Sequence, residues 1–362
     1  MSSHLACSWA FAPWRHEGAT TAAAWLTAAG RDGCDVIRAD LDAVVPRETP
    51  RPAIDATLGR TASLPGADRM PLTWAQLEAY AEAAVTTSRR WAGDDGWADG
   101  YSGPVGLVDH LVMALLRSRS LVGRWTAHVI DLPTHEADGS RRLAEVTDGP
   151  LREVVTALPG MNPRGPLVAD WIVALIATAD EVLVGTPALA NALELPQARV
   201  WQRPGVLVPP GYRRERTPGL ICALDPARLA TLGPVLTAYG MLSEAEMHRL
   251  PLHLVTNDPG AIGAELRRRG LEARVTVSAD STPMVRTGAD WALVLDLPRP
   301  DGMPWSPAGI PELADHTASG TPVILVCEQD SPLSRLPVAY HAPTDHPSAV
   351  FAVLRRLAAT AA

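Results

Sequence analysis

The chain has 362 residues, 47% of them hydrophobic, which is enough to bury the cores of two ordinary domains and too apolar for a disordered protein. Its formal charge is −8 and all 32 basic residues are arginine, a balance that argues against a general nucleic-acid binder, which presents a basic face.

In chain order, residues 4–12 read as a strand, 13–18 as a loop, 19–29 as a helix stopped by Gly30, and 34–39 as a second strand. That unit has the length of a βαβ crossover. Residues 43–70 are polar and proline-rich and are expected to be irregular. Thr73 caps a helix to about residue 91, in which Trp74, Leu77, Tyr80, Ala81 and Ala84 recur at helical spacing. The end of a strand (99–102), a helix (105–119) and a strand (124–132) follow. Residues 138–157 are charged and are expected to be helical. Next come a helix (168–179), a strand (181–185), a short helix (187–193) capped by Thr186, and a short strand (200–202).

Proline and glycine crowd 203–219, so 1–205 and 220–362 are expected to be two domains joined by a linker at 206–219. The second half restarts with a strand (220–224), a helix (226–242), a strand (252–256), a helix (259–269) and a strand (273–277). Residues 291–297 are expected to be a buried parallel strand. A Pro/Gly-rich loop (298–309) leads to a helix (312–318) with Pro311 in its first turn and Gly320 after it. A strand (321–327), a strand near 338–341 and a helix (347–361) close the chain. Alternating strands and helices in both halves predict two doubly wound α/β domains.

Ligands of open parallel sheets bind outside the carboxyl ends of the strands, where helix N-termini favour anions. Glu312 and Asp315 therefore fall beside a candidate site. Cys7, Cys34, Cys222 and Cys327 are scattered and form no C-x-x-C pair, so they read as free thiols in a reducing cytoplasm and not as zinc ligands. The first residues, MSSHLACSWAF, lack the basic and apolar regions of a signal peptide, and no stretch reaches the roughly 20 apolar residues of a membrane span. Asp40-Leu41-Asp42 matches D-x-D text but is frequent by chance. Arg267-Arg268-Arg269 and Arg213-Arg214-Arg216 read as solvated arginines or as a route to peripheral contact with anionic lipid.

Several of these stretches form an ordered series. A strand opened by Ala289-Asp290 leads to the helix bearing Asp315 and then to Gly320-Thr321-Pro322-Val323. Earlier come Ala179-Asp180-Glu181 with its strand and Thr186-Pro187, the proline-rich crossing, Tyr101-Ser102, His110, and Trp125 through His128 to Asp131. Together they resemble GT-B-fold, family-4-type glycosyltransferases of a bacterial branch. The resemblance implies an α/β, GT-B architecture: two doubly wound Rossmann-like domains facing across a cleft, an N-terminal acceptor domain and a C-terminal nucleotide-sugar domain. It implies transfer of a sugar from a nucleotide-diphosphate sugar to an unidentified acceptor, retaining anomeric configuration, with no metal and no cofactor.

By the same resemblance, Arg228 contacts a phosphate and Asp315 accepts from the nucleotide ribose, with Glu312 and Gly320 in the donor segment. Glu17 and Gly18 form a cleft loop, and His128 and Asp131 near a strand end could orient an acceptor hydroxyl or act as base. Three positions depart from the pattern. Pro307 stands where the family has a Glu, Glu312 where the branch has a Lys, and Gly103 where it has an Arg. A carboxylate repels a diphosphate where a cation would hold it. The alternative is a catalytically degenerate GT-B protein that binds a partner; a sugar-nucleotide epimerase would need an acid/base pair that the sequence does not display.

Overall fold

The computed structural model describes residues 3–11, 16–41, 58–64, 70–93, 95–205, 217–224, 228–256, 258–279, 289–310 and 312–361. The expected linker lies outside them as far as residue 216, as do Pro311, Asp42 and the Arg213-Arg214-Arg216 group. The chain divides into two compact units. The first comprises Met1–Thr134, Arg141–Arg203 and Pro307–Gly309; the second comprises His135–Ser140, Pro204–Ser306 and Ile310–Ala362.

The first unit holds β1 (His4–Cys7), α1 (Glu17–Ala28), β2 (Cys34–Ala39), β3 (Leu58–Leu64), α2 (Trp74–Ala92), β4 (Trp97–Ser102), α3 (Leu107–Ser118), β5 (Val122–Val129), α4 (Pro150–Thr156), α5 (Val168–Ala177), β6 (Glu181–Val184), α6 (Pro187–Ala192) and β7 (Arg199–Val200). Its seven strands are parallel, in the order β3-β2-β1-β4-β5-β6-β7. The strand order reverses between β1 and β4. Right-handed crossovers therefore lay helices on opposite faces on the two sides of that point. The central strands are buried on both faces: Leu5, Ala6, Val36, Ile37, Trp125 and Ala127 are all sequestered.

The second unit holds β8 (Thr217–Leu224), α7 (Leu229–Gly240), α8 (Glu244–Arg249), β9 (Leu252–Thr256), α9 (Pro259–Arg268), β10 (Val275–Ser278), β11 (Ala289–Leu295), α10 (Glu312–Ser319), β12 (Val323–Cys327), a 3-10 turn (Pro332–Arg335), β13 (Tyr340–Pro343) and α11 (Pro347–Thr360). Its six parallel strands run β10-β9-β8-β11-β12-β13, with the reversal between β8 and β11. One core runs from Leu220, Cys222 and Leu254 to Leu232, Tyr239 and Leu354. No helix among the described residues is long and apolar enough to cross a membrane.

Three expectations are corrected. Within 43–70, residues 58–64 are an edge strand. They carry no apolar alternation because most of their side chains are exposed. They are held by backbone pairing to β2 and by buried Asp35, which accepts from Arg60 N at 2.8 Å and pairs with its guanidinium at 2.6 Å. Burial pushes the Asp35 carboxyl up, but the bonds from Arg60 and from Trp97 Nε1 outweigh it and hold the carboxyl below its usual range. In 138–157 only α4 is helical. Asp138 instead accepts from Ser140 N and Oγ in a turn, which is the competing use of a short acidic side chain. Of the helix expected over 226–242, whose first two residues lie outside the described ones, Leu229–Gly240 is helical, and a separate helix, α8, follows, opened by a Ser243/Glu246 capping box.

Candidate functional site

The site is built from what lies just beyond the carboxyl ends of the strands at each reversal. In the second unit β8 ends at Leu224 and β11 at Leu295. Arg228 occupies the cap position of α7 and is 7% exposed. Its Nη1 donates to Glu312 Oε1 at 2.5 Å; Glu312 opens α10 and is 9% exposed. Two residues expected at a candidate donor site are thus brought together, across 84 positions of sequence, as a buried ion pair. Asp315 lies one turn further along α10, 1% exposed, with His316 buried beside it in sequence. Gly320 ends that helix at φ +71°, a conformation that favours glycine, with no atom near the position of a Cβ. It lies about 12 Å along the axis from Glu312 at ~1.5 Å per residue, so it shapes the turn into β12 and does not join the pair.

Asp296, the first residue after β11, was missed by sequence reasoning. It is 2% exposed; its Oδ1 accepts from Leu297 N at 2.8 Å and its Oδ2 from Ser331 Oγ at 3.3 Å. Burial raises its carboxyl to about 7, with those bonds and the charge of Arg228 pulling the other way. The available signal was position alone: the first polar residue after an apolar strand at the reversal.

In the first unit the reversal is flanked by the loop after β1, the N-terminus of α1, and the 103–106 segment before α3. His16 caps α1, its Nδ1 accepting from Gly18 N at 3.0 Å, so this amide of the expected cleft loop is already engaged. A Cβ on Gly18 would come within 2.6 Å of Val105 Cγ2, which makes this glycine a site of close packing. Glu17 Oε1 accepts from Arg203 Nε at 2.9 Å and from Thr21 Oγ1 at 3.2 Å. Arg203 is buried and was not singled out from sequence.

The Tyr-Ser, His and Trp positions resolve into a core network. Tyr101 OH meets His128 Nδ1 at 2.9 Å, Ser102 Oγ meets His110 Nδ1 at 2.8 Å, and Trp125 Nε1 donates to Ser102 Oγ at 2.8 Å. His128 is fully buried and packs edge-on against Trp201. Near the strand end where it was expected to orient an acceptor hydroxyl or act as base, its ring is therefore enclosed. His128 lies in β5, whose residues 125–129 are buried on both faces, while Asp131, two residues past the strand, is exposed. The pair is not assembled. Burial brings His110 and His128 down to about 3, with the neighbouring His110 adding to the effect on His128, so both are neutral at neutral pH.

Asp109, also missed, is buried in the first turn of α3 and accepts from Trp9 N at 2.8 Å through Oδ2, tying the loop after β1 to the helix. Burial raises it to about 8 against that bond. The space at Gly103 is closed: a Cβ there would strike Ser8 Oγ and lie 2.9 Å from Ser8 Cα. The arginine triplet at the end of α9 is partly explained by the fold, since Glu265 pairs with both Arg268 and Arg269.

No family model matches the chain, and no curated protein matches it in sequence. Solved structures are similar in fold. An alpha,alpha-trehalose-phosphate synthase (UDP-forming) from Burkholderia xenovorans, in complex with glucose-6-phosphate, superposes with a TM-score of 0.61 at 11% identity, over 98% of this chain and 92% of that one. WaaG, a glycosyltransferase involved in lipopolysaccharide biosynthesis, gives a TM-score of 0.58 at 13% identity, over 98% and 90%. The kitacinnamycin glycotransferase gives 0.50 at 15%, over 100% and 93%. At such identities the likeness is one of fold, and the fold is α/β of the GT-B type, two parallel Rossmann-like sheets each reversing its strand order at the centre.

Proposed function

We propose that the protein is a family-4-type glycosyltransferase that moves a sugar from a nucleotide-diphosphate sugar to an acceptor, with retention and without a metal. The donor binds the second unit at the β8/β11 reversal, and the acceptor binds the first. The observation that carries the reading is the grouping of Arg228 at the start of α7 with Glu312 and Asp315 on α10 beside that reversal, in a GT-B fold. Sugar transfer leaves a diphosphate whose charge must be stabilised as it departs, and a guanidinium offers two parallel donors to phosphate oxygens. Asp315 is assigned to the nucleotide ribose. Asp131, exposed past β5, is the carboxylate assigned to the acceptor side; His128, in the core, is withdrawn from the reacting atoms.

Calorimetric titration with a panel of nucleoside diphosphates and nucleotide sugars tests the reading, with Asp315→Ala and Arg228→Ala as controls. Selective micromolar binding that weakens at least tenfold in both variants is the expected result. Binding that both variants retain at wild-type strength would sink it. A second reading, a degenerate GT-B protein that binds a partner without turnover, is favoured by the engagement of Arg228 with a carboxylate and by the closed space at Gly103. It predicts no release of nucleoside diphosphate from any sugar donor.

A further inference from the structure

We infer that Glu312 is a built-in counter-anion that competes with a diphosphate for Arg228 and so sets which anions the second unit accepts. The inference rests on the donor site proposed above. Arg228 and Glu312 are both buried and meet at 2.5 Å, so the guanidinium carries its compensating charge within the protein. A carboxylate and a phosphate present the same kind of acceptor oxygens to the same donors, so they compete for one face of the arginine. Their like charges also repel across a poorly screened interior. Asp296, on whose carboxyl the charge of Arg228 acts, and Asp315, one turn along α10, add further carboxyl groups.

Glu312 has an alternative position of its own. As the first residue of α10 it stands where a helix N-terminus favours a negative charge, so its carboxylate can leave Arg228 and remain stabilised. A diphosphate that takes Nη1 of Arg228 thus displaces Glu312 from it, and ligands with less negative charge are penalised less.

The test titrates the full chain with ADP, UDP, GDP and inorganic pyrophosphate at fixed ionic strength, comparing wild type, Glu312→Gln and the double variant Arg228→Gln/Glu312→Gln. The expected result is that Glu312→Gln binds pyrophosphate and at least one nucleoside diphosphate tenfold or more tightly than wild type. The double variant should lose that gain. Equal or weaker binding by Glu312→Gln overturns the inference, and if wild type still transfers sugar, the proposed function survives it. Absence of binding by both wild type and folded Glu312→Gln, for every anion tried, sinks both. If Glu312→Gln does not fold by itself, its refolding is repeated with pyrophosphate against chloride at matched ionic strength. Rescue by pyrophosphate supports the counter-anion, and no rescue overturns it.

Discussion

Replacing Tyr101 by Phe removes the hydroxyl that meets His128 Nδ1 at 2.9 Å and leaves a fully buried imidazole nitrogen without that partner. His128 Nε2 already has no hydrogen-bond partner among the described residues, so the ring would lose its remaining polar anchor there. The expected cost is about 1–3 kcal/mol, the desolvation penalty of an unsatisfied buried group, read as a lowered midpoint of chemical unfolding. Turnover of the surviving folded fraction should keep its pH profile, because neither ring touches substrate in this assignment; a displaced profile would restore His128 to the chemistry. The sequence displays Tyr101, Ser102, His110, Trp125 and His128 as a recognisable series, but series and spacing do not report burial. The same residue types serve a reacting site when open to a ligand and a core network when closed. Arg228 and Glu312 show the converse: each was legible separately as a candidate, while their pairing, which changes what Arg228 can offer an anion, was not.

At the scale of elements, the segment between β4 and α3 is packed backbone against backbone. Gly103→Ala should destabilise the first unit by about 1–3 kcal/mol, the range for overpacking, visible as a lowered melting temperature. Ser8 is held by its own amide bond to Ile37 O at 3.0 Å and cannot easily withdraw. Ser8→Ala in the same chain should recover only part of the loss, since Ser8 Cα as well as its hydroxyl lies in the way. Full recovery would show that the hydroxyl alone sets the limit. An arginine placed at Gly103 to restore the branch pattern would meet the same obstacle, so this departure is built into the packing. Helices with strong local signals were legible to within a few residues: α2 begins at its predicted cap, where Thr73 Oγ1 accepts from Gln76 N at 3.4 Å and Gln76 reaches back. The edge strand β3 was not legible, because an edge strand needs only backbone partners and its side chains are free to be polar.

For the whole molecule, the buried titratable groups predict different pH responses for the two units. In the first, His110 and His128 titrate at about 3 when folded against 6.5 as free groups. The unfolded chain therefore binds more protons as pH falls, and the stability these histidines protect is complete above 6.5 and lost below it. Asp109, raised from 3.8 to about 8, acts oppositely: the folded chain keeps a proton that the unfolded chain has released, and stability falls as pH rises toward 8. Two groups against one give a rise from pH 5 to 6.5 and a fall from 6.5 to 8, each of about 2 kcal/mol at ~1.4 kcal/mol per proton and pH unit. In the second unit Asp296, raised from 3.8 to about 7, gives a fall of about 2 kcal/mol between pH 5 and 7, which Asp296→Asn should abolish. Hydrogen exchange of peptides from each unit, at pH 5, 6.5 and 8 and corrected for intrinsic rates, separates the two responses. Parallel responses in both units would refute the assignment.

The sequence alone determined the alternation of buried strands and capped helices, hence two parallel α/β units, because periodicity, caps and turn residues act between neighbours along the chain. It also placed Arg228, Glu312 and Asp315 after strands at the right ends, since strand ends and helix starts are local marks. Only the tertiary structure decided that Arg228 and Glu312 neutralise each other and that Asp109 holds Trp9 across 100 residues. It alone put His128 in the core and Asp131 at the surface. Those outcomes depend on which groups lose water together when distant strands pair, and desolvation is a property of the assembled interior that no local stretch of sequence contains.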